Sequence, residues 1–144
     1  MNVDFGHCIW LMCDKDSELS KLTNGFHAHM TIKMNLEEGD SMIEFDELNC
    51  NITESIIVDI MPKKNMTYEN GFNSLYYFIE YSNKNKHEKP LWWPDNAHIS
   101  IRYKYDKDFT SSEKNLNLID KTCEMRGLRL MKCTGHHSKW KRII

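Results

Sequence analysis

The sequence predicts an α+β domain of two similar lobes, each an antiparallel sheet with helices outside, flanking a central cleft. Three observations lead there. A six-residue pattern occurs twice, as Ala28-His29-Met30-Thr31-Ile32-Lys33 and as Ala97-His98-Ile99-Ser100-Ile101-Arg102. Each copy alternates apolar with polar, the period of a half-buried strand. The elements around the copies recur in the order strand, motif strand, helix, strands, with one motif in each half. With seven histidines in the chain, two matches to His-apolar-hydroxyl-apolar arise by chance in about one chain in fifty. The shared Ala before the histidine and the Lys or Arg at the end lower that further.

Residues two apart on a strand point to the same face. His29, Thr31 and Lys33 are therefore expected on one face, above Met30 and Ile32. His98, Ser100 and Arg102 share a face in the same way, above Ile99 and Ile101. Two such strands side by side offer imidazoles, hydroxyls and cations to one cleft, a set that suits a phosphate ester.

The elements follow in order. Val3 to Cys13 is an apolar run of strand formers. Asp14 to Leu22 allows a turn or two of helix, and Asn24-Gly25 is a turn signal. Phe26 to Met34 is the first motif strand. Met42, Phe45 and Leu48 recur at helical spacing within 36–48, although Gly39 interrupts the segment. Ser55 to Met61 reads as a strand that Pro62 ends. Asn70-Gly71 is a turn before the aromatic-rich strand Phe72 to Tyr81. A polar loop over 82–89 and Pro90-Leu91-Trp92-Trp93-Pro94 lead to the second motif strand, Asn96 to Tyr105. Thr110-Ser111-Ser112-Glu113 has the form of a capping box. The helix it opens carries Leu116, Ile119 and Cys123 on one side and is expected to stop at Gly127. Leu128 to Cys133 and Ser138 to Ile143 close the chain as strands, with a turn at Gly135-His136-His137.

A length of 144 residues suits a single domain, 1–144, with a real core. The formal net charge of -2 carries no global basic signature, so extensive binding to duplex nucleic acid is not implied. No stretch approaches a membrane span, and the first residues lack the pattern of a secretory signal. Five scattered cysteines, an odd number, suit a reducing compartment, and cytoplasmic residence is expected. On that reading the two Asn-x-Thr sites, at Asn51 and Asn65, are coincidental. No membrane and no obligate protein partner are expected.

His29-Met30-Thr31-Ile32 and His98-Ile99-Ser100-Ile101, one per half of a small α+β chain, resemble the paired motifs of the two-histidine (2H) phosphoesterase superfamily, the LigT-like proteins. The resemblance implies a bilobal fold with the motifs facing each other across a groove, and cleavage of phosphodiester bonds at a ribose without a metal or other cofactor. Members act on cyclic phosphates, on RNA ends and on immune-signalling nucleotides. For this short chain a small ribonucleotide is the expected substrate, a cyclic dinucleotide such as cGAMP or a 2′-5′ oligoadenylate. The 2′,3′-cyclic phosphates and RNA ends are the alternative, as is binding of nucleotide or RNA without turnover.

Histidine suits both proton transfers of such a reaction because its pKa lies near neutrality. One of His29 and His98 is expected to be the base and the other the acid. Thr31 and Ser100 are expected to donate to the non-bridging oxygens. Lys33 and Arg102 are candidates for a second phosphate. Trp92, Trp93 and Trp10 are candidates for stacking a base, with Tyr76 or Tyr77 behind them. His27 with His29 also has the His-x-His form of a zinc site, which needs a third ligand.

Overall fold

The structure, a computed structural model, describes residues 4–23, 25–67 and 71–144. Val3, Asn24 and Asn70, which the sequence reading places in the first strand and in two turns, lie outside the described residues.

The chain runs β1 (Asp4–Cys13), α1 (Glu18–Leu22), β2 (His29–Leu36), α2 (Glu38–Asn51), β3 (Ile56–Thr67), β4 (Phe72–Tyr81), β5 (His98–Tyr105), α3 (Ser111–Lys114), β6 (Thr122–Thr134) and β7 (Lys141–Arg142), with a 3-10 turn at His137–Lys139. All strand pairings are antiparallel. Where two sheets were expected, all seven strands join one sheet in the order β1-β2-β5-β4-β3-β6-β7, and β1 also pairs with β6. The motif strands β2 and β5 are neighbours, in register at Met30 and Ile99. No helix among the described residues is long and apolar enough to cross a membrane.

Alternation, broken only at register shifts, divides the side chains of the sheet. Ile9, Leu11, Met30, Leu75, Tyr77, Ile99 and Leu130 face the main core, which α2 covers with Phe45 and Leu48 and α1 with Leu19. The helical stripe on α2 runs through Ser41, Phe45 and Leu48, leaving Met42 exposed; Ser41 meets the His7 ring at 2.9 Å. The opposite face of β1 and β6 carries Cys8, Trp10, Met12, Met131 and Cys133 in a smaller cluster. Met30 and Ile99 are both fully buried at the join of the motif strands. Cutting either back to alanine costs about 2–5 kcal/mol, so the join is well anchored.

Bulges set the geometry. Ile9 stands opposite Lys33 while Trp10 stands opposite Thr31, so β2 holds one extra residue at Ile32. Leu75 stands opposite Arg102 while Tyr76 stands opposite Ser100, so β5 holds one extra residue at Ile101. An extra residue reverses which face the following side chains take. Both motif strands carry this reversal at the same place, directly after the hydroxyl residue.

Three elements differ from the sequence reading. Where a closing strand Ser138 to Ile143 was expected, the 3-10 turn His137–Lys139 takes its first residues and only Lys141–Arg142 pair, as β7. Pro62 does not end β3, because it falls in a register shift between Ile60 and Lys63, where a missing N–H breaks no ladder bond. The capping box at Thr110 and Glu113 forms, but its helix stops at Lys114. The chain from Thr122 onward joins the sheet instead, where Cys123, Met125, Leu128 and Leu130 alternate into the core. Gly127, expected to cap that helix, sits inside β6 with φ +87°, at a second irregularity opposite Leu11 and Cys13. That conformation is cheap only for glycine.

Candidate active site

Extending the Met30–Ile99 register by one residue in each direction sets His29 opposite Ser100 and His98 opposite Thr31. All four side chains line one open cleft. The paired imidazole and hydroxyl groups are thus brought together on one face, two on each motif strand.

Each histidine is tethered alike. His29 Nδ1 donates to the His27 carbonyl at 2.6 Å, and His98 Nδ1 donates to the Asn96 carbonyl at 2.9 Å. A carbonyl only accepts, so Nδ1 carries the proton in both rings and Nε2 is left for the cleft. Asn96 reaches its position with φ +54°, a left-handed conformation that asparagine tolerates better than most residues.

The walls around the two rings differ. Trp10 stacks on His29, with ring centroids 3.5 Å apart and planes 9° from parallel. His29 is 5% exposed. Burial holds its pKa down to about 3, against the tether to His27, with the charges of His98, His27 and Arg129 pushing the same way as burial. His29 is therefore neutral across the physiological range. His98 is only half-buried and meets the tilted Tyr76 ring at 4.9 Å. Ser100 is buried and shares a 2.8 Å hydrogen bond with Ser74, whose hydroxyl also lines the cleft.

The two cations do not join this group. The bulge at Ile32 turns Lys33 to the core-side face, where it pairs with Glu44 of α2 at 3.3 Å. The bulge at Ile101 turns Arg102 to the side of Leu75, and its guanidinium donates to the Ile101 carbonyl at 3.1 Å. Met34 and Tyr103, one residue further along, take their places in the cleft.

Nor do Trp92 and Trp93 reach it. Trp93 is buried edge-on against Tyr81 at 5.3 Å, and Trp92 packs beside it on the main core. Trp10 does line the cleft, but as the support under His29. Of the two tyrosines, Tyr76 belongs to the site and Tyr77 to the core.

Sequence reasoning missed Ser74, Tyr103, Phe72 and Trp140, which also line the cleft, together with Phe5, Cys8 and Cys133. Phe72 and Ser74 were legible from strand period alone, since they share a face with Tyr76 on β4. Tyr103 required the bulge, and Trp140 required the return of the chain after β6. Tyr103 joins Phe72 at 5.1 Å, Phe26 at 4.5 Å and Trp140 at 5.5 Å in an aromatic wall. His137 abuts this wall; its ring and main-chain N–H both meet the Tyr105 hydroxyl.

Among the described residues, no group of three or more His, Cys, Asp or Glu side chains is placed to hold a metal ion, so His27 and His29 gain no third ligand. The five cysteines are free thiols.

No protein-family model matches this chain, and no curated protein matches it in sequence.

Proposed function

We propose that this chain is a metal-independent phosphodiesterase of the two-histidine kind, acting on a small ribonucleotide such as a cyclic dinucleotide or a 2′-5′ oligoadenylate. The observation that carries the reading is the Met30–Ile99 register, which sets each motif histidine across from the hydroxyl of the other motif. The matching tethers, matching bulges and matching aromatic partners of the two strands support a further step. On this reading β1-β2-α2-β3 and β4-β5-α3-β6 are two copies of one unit, the LigT-like arrangement, related about the join of β2 and β5.

The unlike walls divide the labour. Neutral His29 is the base: its Nε2 takes the proton of the attacking water or ribose hydroxyl. The freed oxygen pair forms the new P–O bond as the opposite P–O bond breaks. The leaving oxygen keeps that pair and takes a proton from Nε2 of His98, which enters the step as the imidazolium with Nδ1–H still donating to the Asn96 carbonyl. Thr31 and Ser100 donate to the non-bridging oxygens, where charge builds in the transition state. Phe26, Tyr103 and Trp140, all partly exposed and backed by the buried Phe72, supply faces for bases, each stack worth roughly 1–3 kcal/mol.

The test is a panel of cyclic dinucleotides, 2′-5′ oligoadenylate and nucleoside 2′,3′-cyclic phosphates, followed by chromatography with and without chelator. Cleavage is expected for at least one, and His29→Asn or His98→Asn each lower its rate by a hundredfold or more. A nucleotide bound but never cleaved would reduce the chain to a binding module. Wild-type turnover by His98→Asn would remove the mechanism.

A further inference from the structure

With Lys33 and Arg102 turned away, the cations on the face of the histidines come from strands that carry no motif. Trp10 stands opposite Arg129 of β6, and directly paired residues share a face. Met131 likewise stands opposite Arg142 of β7, and Met131 packs with Cys8 and Trp10 on the cleft side. Arg129 and Arg142 are thus set on the same face as His29, beyond Trp10. Counted across the sheet, Arg129 lies two strands from Thr31, about 9–10 Å between backbones.

Several features mark this pair as unsatisfied. Neither guanidinium forms an ion pair among the described residues. Arg129 is half-buried, and loss of water, with the charge of Arg142 adding to it, acts against its protonated form. They share a hollow with Lys15 and Arg126, against which stand Asp14 and Glu124, so cations outnumber carboxylates by four to two. Two like charges held together without a counter-ion cost free energy that a bound anion removes. Met12, which lines the same hollow, stands opposite His29, so the hollow opens beside the base.

We propose that Arg129 and Arg142 bind a second phosphate of the substrate, one nucleotide away from the phosphate that is cleaved. This rests on the phosphodiesterase reading and narrows it: the substrate carries at least two phosphates. A guanidinium matches a phosphate by paired N–H donors, which makes arginine rather than lysine the suited residue here.

The experiment compares a 2′-5′ linked dinucleotide, with one phosphate, and the matching trinucleotide, with two. Wild type, Arg129→Gln and Arg142→Gln are measured for turnover and, by calorimetry, for binding. The exposed Arg142 variant guards against a folding defect in the half-buried Arg129 variant. Each substitution is expected to lower the trinucleotide-to-dinucleotide ratio of kcat/KM about tenfold, mainly through KM. The slope of log affinity against log salt for the trinucleotide should become shallower by about 0.7. An unchanged ratio in both variants would overturn the second-phosphate site while leaving the phosphodiesterase standing. If wild type cleaves neither compound, binding decides the second-phosphate site: trinucleotide affinity that falls tenfold in both variants supports it, indifferent affinity overturns it, and the nucleotide panel decides the phosphodiesterase.

Discussion

The burial of His29 has a thermodynamic consequence that can be measured without any substrate. Its folded pKa is held down to about 3, while an unfolded histidine titrates near 6.5. Between those values the unfolded chain binds a proton at this residue and the folded chain does not, so acid favours unfolding. The contribution is complete above pH 6.5 and is lost as pH falls toward 3. Each pH unit in that window is worth about 1.4 kcal/mol, so at pH 5 the loss is about 2 kcal/mol and at pH 3 it is about 4 kcal/mol. His29→Asn can keep the donor to His27 but does not titrate. Urea unfolding of both proteins from pH 7.5 to pH 4.5 separates this effect from the substitution itself, because only the difference in slope matters. His137, also held low, to about 4, by burial and by His136, acts in both proteins and cancels. Wild type should lose about 2 kcal/mol more than the variant between pH 7 and pH 5. Parallel stability profiles would refute the claim that His29 is buried neutral.

Other expectations concern activity. In kcat/KM against pH, the acid limb should lie well below the ordinary histidine range because His29 stays unprotonated. Ser100→Ala should lower kcat roughly a hundredfold with little change in KM, as expected for a donor used in the transition state; steady-state kinetics on the best substrate of the panel decides this. Lys33→Gln and Arg102→Gln, both directed away from the cleft, should leave kcat/KM within about twofold, the level of substitutions outside a site; a tenfold loss in either would show that the bulges are misplaced. Prolonged chelator treatment should leave activity unchanged.

What the sequence discloses here depends on the range over which a rule acts. Alternation is local, so the face shared by His29 and Thr31, and by His98 and Ser100, could be read directly. The rule fails where the ladder gains a residue: nothing in Ile32-Lys33 or Ile101-Arg102 announces a bulge, and one extra residue was enough to send both cations to the other face. The capping box at Thr110 was equally legible, but capping starts a helix without deciding its length. Thr122-Cys123-Glu124-Met125 alternates, and the free edges of β1 and β3 supply it with ladder partners, which outweighs the helical spacing of Leu116, Ile119 and Cys123. Trp92 and Trp93 sit close to the second motif in sequence, yet between the prolines the chain turns them under the sheet. Arg129 could not be found from any local pattern, because its place beside Trp10 is made by a pairing between the first and sixth strands.

The two motif strands share pattern, tether and bulge, so the motif itself gives no ground for assigning different roles to the histidines. The difference arises one strand away. Trp10 and Tyr76 occupy matching positions, opposite Thr31 on β1 and opposite Ser100 on β4. The indole lies flat on His29 and seals it from water, while the smaller phenol ring meets His98 at an angle of 59° and leaves it open. A sealed imidazole stays unprotonated at neutral pH, which leaves its Nε2 lone pair free for the proposed role of base; the less covered ring is left the proposed role of acid. Arg129 sharpens the contrast, because its charge reaches His29 from the far side of Trp10. One aromatic difference on a strand outside the motif thus gives two otherwise equivalent histidines unlike surroundings, and the proposed division into base and acid rests on that difference.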